Sequence, residues 1–196
     1  GCRCIVLGVF DYLYDNSFQP ATVFESPVSV AFAGNIGKSV FLDRLDVPDL
    51  KFNLFGVGAD KRHFQRNMEY KGCFPPDHLW KYLSSMFGLV WDGDSCVTCS
   101  GIVGEYLRYI APHKLSLYIS CGLPIIVWSE SAMADFVRKN NIGICVASLF
   151  ELETILKDMT RKDYMRLSSN VSGIREKVMC GYFLRTAVAN FESWVI

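Results

Sequence analysis

Lys114 stands where a chain changes from loop to helix, in the stretch Ala111-Pro-His-Lys-Leu-Ser-Leu-Tyr118, which runs on through Gly122-Leu-Pro124 to Ile125-Ile-Val127. Pro112 suits a first helical turn, where a missing N–H costs nothing. Gly122 ends the helix and Pro124 prevents it from resuming. A cation beside the free N–H groups of a helix start is a chemistry suited to a phosphate or diphosphate. The plain alternative is an ordinary solvated lysine in a first turn.

Three further groups of residues carry the same kind of question. Gly34-Asn-Ile-Gly-Lys-Ser39 offers two glycines and a second lysine after an apolar run. It is neither G-x-G-x-x-G nor the eight-residue P-loop, so dinucleotide binding and Mg-nucleotide hydrolysis lack support, and a plain tight turn competes. Asp92-Gly-Asp94 is an acid-x-acid pair that could hold a divalent ion on a diphosphate or could be a solvated turn. The lysines and helix starts can answer diphosphate charge, so no metal is expected. His113 has no serine or cysteine nucleophile in a strained turn beside it, so a triad is unsupported; it reads as a hydrogen-bond donor or as a helix-start residue with no role.

The elements that must position these groups alternate. Cys4 to Phe10 reads as a strand and Asp11 to Ser26 as an irregular connector. Strands follow at Val28–Ala33, Phe52–Phe55, Met68–Phe74, Leu89–Trp91, Ile125–Trp128 and Gly143–Val146. Between and after them, helices are expected from Val40, over Pro76–Phe87, in the Lys114 stretch, over Ala132–Asn140 and from Phe150 to about Trp194. This rhythm predicts a doubly wound, Rossmann-like parallel α/β sheet, whose ligands bind outside the carboxyl ends of the strands. The loops 34–39, 70–75 and 104–116 all fall there.

The totals bound the alternatives. A chain of 196 residues can bury one good core. Twenty basic residues balance twenty acidic ones, which gives no electrostatic reason to expect a nucleic-acid partner. No run of apolar residues is long enough for a transmembrane helix. The eight cysteines include one Cys-x-x-Cys, Cys96 to Cys99, without a second pair at zinc spacing. Unpaired cysteines in apolar runs fit a reducing cytoplasm. Gly1 is not a start methionine, and the chain reads as a piece of a longer protein.

Phe32-Ala-Gly-Asn-Ile-Gly-Lys-Ser39, Leu54-Phe-Gly-Val-Gly58, Tyr70-Lys-Gly72, Gly88-Leu-Val-Trp-Asp-Gly93 and, most specifically, Pro112-His-Lys-Leu-Ser116 with Gly122-Leu-Pro124 resemble a bacterial sugar-transferase group. It includes the glucosyltransferases that extend glycans on serine-rich adhesins and related galactofuranosyltransferases. The resemblance implies one half of a GT-B architecture, the C-terminal half that binds the nucleotide sugar. On that reading residues 1–27 are a remnant strand and linker from the acceptor domain, 28–180 the donor-binding domain, and 181–196 a helix crossing toward the missing domain.

The resemblance further implies Lys38 and Lys114 near the diphosphate and Tyr70 to Phe74 near base and ribose. The candidate nucleotide-sugar residues are Gly34, Asn35, Lys38, Ser39, Tyr70, Gly72, Phe74, His113, Lys114, Leu115 and Ser116. No catalytic residue is identified, and no cofactor is expected besides a UDP-sugar donor substrate. The commoner retaining GT-B enzymes carry Glu-x7-Glu before the Gly-x-Pro strand, but here, aligned on Gly122-Leu-Pro124, the corresponding positions hold Tyr109 and Leu117 or their neighbours. The carboxylate contact to ribose therefore does not carry over. The expected partners are the nucleotide sugar, a glycan or glycopeptide acceptor, the missing N-terminal domain and other copies in a homo-oligomer. The expected location is the cytoplasm, including the membrane periphery. The competing readings are a non-catalytic nucleotide-sugar or partner-binding module and a sugar-nucleotide epimerase of the same architecture.

Overall fold

Among the described residues six short segments, most of them apolar, form strands: β1 (Ser29–Ala33), β2 (Lys51–Phe55), β3 (Met68–Gly72), β4 (Phe87–Val90), β5 (Ile125–Trp128) and β6 (Gly143–Val146). The computed structural model describes residues 4–13, 23–60 and 62–194. All strand pairs are parallel, in the order β3-β2-β1-β4-β5-β6. Every residue of β1, β4 and β5 is buried, which is why these segments read as unbroken apolar runs instead of alternating ones. The order in which strands are added reverses between β1 and β4. Right-handed connections leading opposite ways from that point lie on both faces of the sheet and leave a crevice at the strand ends. The expected doubly wound parallel α/β fold is present.

The helices are α1 (Pro76–Leu79), α2 (Gly101–Glu105), α3 (His113–Ser120), α4 (Ala134–Asn140), α5 (Glu151–Lys157), α6 (Arg161–Met179) and α7 (Tyr182–Glu192). α3 ends as the sequence demands. Gly122 has φ 76°, Leu123 N–H donates to Tyr118 C=O at 3.0 Å, and Gly122 N–H donates to Ile119 C=O at 2.9 Å. This is a Schellman cap. Arg175 of α6 then donates through Nε to Ser120 C=O at 2.7 Å, which fastens α6 to the end of α3.

Several expected boundaries differ from those observed. Residues 4–13 form no strand, although Val9 is fully buried; in place of a ladder this segment is held by side-chain contacts and by the bond from Tyr12 N–H to Val178 C=O. The helix expected over 76–87 stops at Leu79. The Asp77 carbonyl that a longer helix needs for Lys81 accepts from Trp80 Nε1 at 2.8 Å, and Lys81 and Tyr82 fall back to carbonyls three residues earlier. Leu83 and Met86 are nevertheless buried, and Phe87 already belongs to β4. The helix expected from Val40 is a single 3₁₀ turn, Val40–Asp43. The long final helix breaks at residues 158–160 and again at Gly181, whose φ is 73°. Gly173 interrupts nothing, because it lies inside α6 with open space where a side chain would go. Part of the connector expected after Asp11 lies outside the described residues.

The cysteine pair Cys96–Cys99 is buried and unbonded. Burial pushes the Cys96 thiol up to about 11 and the Cys99 thiol up to about 12. Among the described residues no three His, Cys, Asp or Glu side chains stand together as a metal site, and no helix is long and apolar enough to cross a membrane. A thiol whose pKa is raised on folding stabilises the fold while protonated, and that contribution is lost as pH rises through the folded value. We therefore expect stability to fall from about pH 9, the ordinary thiol value, toward pH 12, read by urea denaturation at stepped pH. Native-state alkylation followed by mass spectrometry should mark exposed Cys73 and Cys180 and spare Cys96 and Cys99; early labelling of the buried pair would contradict this account.

Candidate functional site

The start of α3 is placed by a residue one turn further along. Tyr118 shares a helix face with Lys114 and is fully buried. Its hydroxyl accepts a hydrogen bond from Ala33 N–H, the last residue of β1, at 2.7 Å. Its ring lies directly over Gly88 of β4: a Cβ there would stand 2.2 Å from the ring's Cγ. Burial holds the phenol well above its ordinary value, so it stays protonated and neutral. One side chain thus ties α3 to both strands that flank the reversal point.

That tie brings Lys114 to the crevice. Its Nζ donates to Asp92 Oδ2 at 2.8 Å and to Trp91 C=O at 3.2 Å, both just beyond β4. It also lies 5.1 Å from the centroid of the Phe32 ring of β1, within cation–π range. An ammonium has three N–H donors, so one remains for a ligand. The Lys114 side chain is 15% exposed and that of Asp92 24%, so the pair is only lightly screened. α3 has no side-chain cap, which leaves the amides at its start without a side-chain partner.

Lys114 opens onto a cavity of about 570 Å³. Its walls come from the ends of β1 and β2 (Ala33, Gly34, Asn35, Phe55, Gly56, Val57), the segment after β3 (Cys73, Phe74, Pro76, Leu79), α3 (His113, Lys114, Leu117) and Tyr12. Most of this lining is apolar or aromatic, with Lys114, His113 and Asn35 as the polar exceptions. Phe74 is braced by face-to-face stacking on Tyr82, with centroids 3.7 Å apart. Gly72, at φ 116°, allows that approach, since a Cβ there would meet the Phe74 ring at 3.3 Å. His113 is exposed and lies flat against Phe10, with centroids 4.5 Å apart and 17° between planes.

Of the residues singled out in the sequence, Gly34, Asn35, Phe74, His113 and Lys114 line this cavity. Leu115 is fully buried core, and Ser116 is buried with its hydroxyl unpartnered. Tyr70 donates its hydroxyl to Gly56 C=O at 3.0 Å, supporting the loop after β2. Lys38 is exposed and outside the lining. Ser39 is buried and donates to Asn35 C=O at 2.9 Å.

The glycines of the 34–39 turn have a structural explanation. Gly34 packs on Gly56, where a Cβ would sit 1.8 Å from Gly34 O, and Gly37 packs on Gly58. The amides of Gly34, Gly37, Lys38 and Ser39 already donate to Phe55, Val57, Asn35 and Ile36, and Arg62 holds the Ile36 and Ser39 carbonyls. This turn is a strut between two loops, and the cation available at the crevice is Lys114. Sequence reasoning missed Asp92 as the lysine's partner, as well as Tyr12 and Leu117 as wall residues. Only the Asp92 carboxylate left a signal, and its spacing suggested a metal or a turn. Asp94 instead accepts from Ser100 Oγ.

A family model described as the C-terminal domain of glucosyltransferase 3-like proteins matches residues 30–191. The chain belongs to this glycosyltransferase family. A beta-1,6-galactofuranosyltransferase of Escherichia coli (strain K12), WbbI, is 37% identical over 183 residues, covering 90% of this chain and 53% of that protein. Glucosyltransferase 3 of Streptococcus parasanguinis is 27% identical over 186 residues, covering 93% of this chain and 52% of that one. The chain therefore spans about half the length of these relatives. The solved structure of WaaG, a glycosyltransferase involved in lipopolysaccharide biosynthesis, superposes with a TM-score of 0.53 at 14% identity, over 82% of this chain and 46% of that one; this likeness speaks for the fold alone. The resemblance first carried by Pro112 to Ser116 and Gly122 to Pro124 is thus borne out across the glucosyltransferase 3-like domain.

Within this domain the Tyr118 tie is the feature whose loss should be felt first. Tyr118→Phe keeps the ring but strands the Ala33 N–H, which should cost about 1–3 kcal/mol. Gly88→Ala forces a methyl into the Tyr118 ring, and overpacking of this kind costs about 1–3 kcal/mol or more. Chemical denaturation of both variants checks the expectation, and wild-type midpoints for both would refute it.

Proposed function

We propose that this chain is the donor-binding half of a GT-B glycosyltransferase that moves a hexosyl group from a UDP-sugar to a hydroxyl of a glycan or glycopeptide acceptor. The observation that carries the reading is Lys114, held at the reversal point of the sheet by Asp92 and Trp91 C=O and lining a mostly apolar cavity. When the bond between sugar and diphosphate breaks, negative charge grows on the leaving phosphate oxygens. A pre-positioned ammonium and the N–H groups of a helix start stabilise that charge without reorganising. His113 adds a hydrogen-bond donor at the same mouth, and the apolar wall around Phe74 offers a face for the base. The names of the relatives, a galactofuranosyltransferase and a glucosyltransferase, support a hexosyl donor. A general base and most of the acceptor site belong, on this reading, to an N-terminal domain, and the cytoplasm is where the donor would be met.

Because Asp92 already neutralises Lys114, removing the lysine does two things: it deletes a charge-assisted hydrogen bond worth about 1.5–3 kcal/mol, and it leaves a carboxylate facing the diphosphate. Lys114→Ala should therefore weaken UDP roughly tenfold to a hundredfold and leave uridine almost unchanged. Lys157→Ala, at an exposed residue 3.7 Å from Asp49, should affect neither. Equal weakening of UDP and uridine would mean that Lys114 acts through folding, and no weakening would remove it from the site.

Donor binding on this reading needs no divalent ion, because Lys114 and the α3 start answer the diphosphate and Asp92 is committed to the lysine. Calorimetric titration of UDP with and without chelator should give the same affinity. A clear loss restored by manganese or magnesium would transfer the diphosphate role to a metal held by the Asp92–Asp94 turn.

A further inference from the structure

The segment Phe10–Tyr12 belongs to no strand, yet it is fastened at three places around the cavity. Tyr12 N–H donates to Val178 C=O of α6 at 3.1 Å, and its hydroxyl donates to Pro76 C=O at 3.0 Å, so its ring forms one wall. Phe10 is stacked on His113. Between them, Asp11 accepts from the N–H groups of Phe183 at 3.2 Å and Leu184 at 2.8 Å, one to each carboxylate oxygen.

Those two amides are the second and third of α7. A helix normally satisfies them with the side chain of its own N-cap residue. The N-cap here is Gly181, whose φ of 73° turns the sharp corner between α6 and α7 and which has no side chain to offer. Asp11, distant in sequence, supplies the missing cap, and its negative charge is favourable at a helix N-terminus. The corner of the C-terminal helices and the mouth of the cavity are therefore joined through three consecutive residues.

We propose that Asp11 is a positioning residue of the nucleotide-sugar site, acting through its neighbours: its clasp on α7 holds Phe10 against the His113 imidazole and Tyr12 in the cavity wall. The inference rests on the donor reading above and adds a residue that touches neither donor nor cavity mouth. The stack presents a preset imidazole to the ligand, so less freedom is lost on binding.

The test combines UDP titration with NMR of the His113 ring in the full chain, in which only three histidines have to be assigned. A ring lying face to face with phenylalanine has its protons shifted upfield. Asp11→Ala should weaken UDP by about tenfold, the scale of a lost helix cap, and should move the His113 resonances downfield. Asp11→Asn, which keeps one acceptor oxygen, should recover part of both effects. Phe10→Ala removes a partly exposed ring and leaves the clasp intact; it should weaken UDP with no change in melting temperature, and it decides the matter if Asp11→Ala does not fold. UDP binding that neither Asp11→Ala nor Phe10→Ala changes overturns this inference and leaves the donor reading in place. Weaker UDP binding in Asp11→Ala with unmoved His113 resonances also overturns it, since the clasp would then act on stability alone. Failure of the unaltered chain to bind UDP overturns the donor reading and this inference with it.

Discussion

The hydrogen bond from Ala33 N–H to the Tyr118 hydroxyl, with the Tyr118 ring seated on Gly88, is the constraint on which the site depends. A parallel sheet leaves backbone groups unpaired where its strand order reverses, and a buried N–H without a partner is costly. Here a helix side chain satisfies that group. Because Tyr118 and Lys114 are one turn apart, the bond that completes the sheet also sets the lysine over the crevice. Sheet closure and cation placement are one structural fact.

Charge at the crevice is managed by pairing. Lys114 is shared among a carboxylate, a backbone carbonyl and the face of Phe32, so it is held in place before any ligand arrives. Asp92 moderates the positive field and fixes its direction. An ammonium held in place beside a low-dielectric wall acts on developing charge more effectively than the same group on a mobile surface arm. The cavity beside it is mostly apolar, which divides the surroundings of a nucleoside diphosphate into a charged end and a stacking end.

The glycine turns that resemble phosphate loops in the sequence serve backbone packing. Gly34 on Gly56 and Gly37 on Gly58 let the loops after β1 and β2 touch without side chains between them. Their amides are spent on each other and on Asn35. The result is a rigid floor for the cavity, with Tyr70 and Arg62 bracing it from outside. Glycine content alone does not separate a phosphate cradle from a close backbone crossing, because both require the absence of Cβ.

Local pattern determined much of this protein. Unbroken apolar runs marked the central strands, Gly122 and Pro124 marked the end of α3, and Pro112 to Ser116 carried the family resemblance; each depends on residues adjacent in sequence and is therefore legible there. The helix over 76–87 was misread because Trp80 intercepts a carbonyl, a competition that periodicity does not register. The strand expected over residues 4–10 was misread because a buried apolar segment looks the same whether a ladder or scattered side chains hold it. What only the tertiary structure decided is which groups meet: Asp92 with Lys114, Tyr118 with Ala33, and Asp11 with the start of α7. Those pairs are 22, 85 and 172 or 173 residues apart. Nothing in either partner's own neighbourhood specifies the other, because their meeting is fixed by the strand order of the sheet or, for Asp11, by the packing of the C-terminal helices.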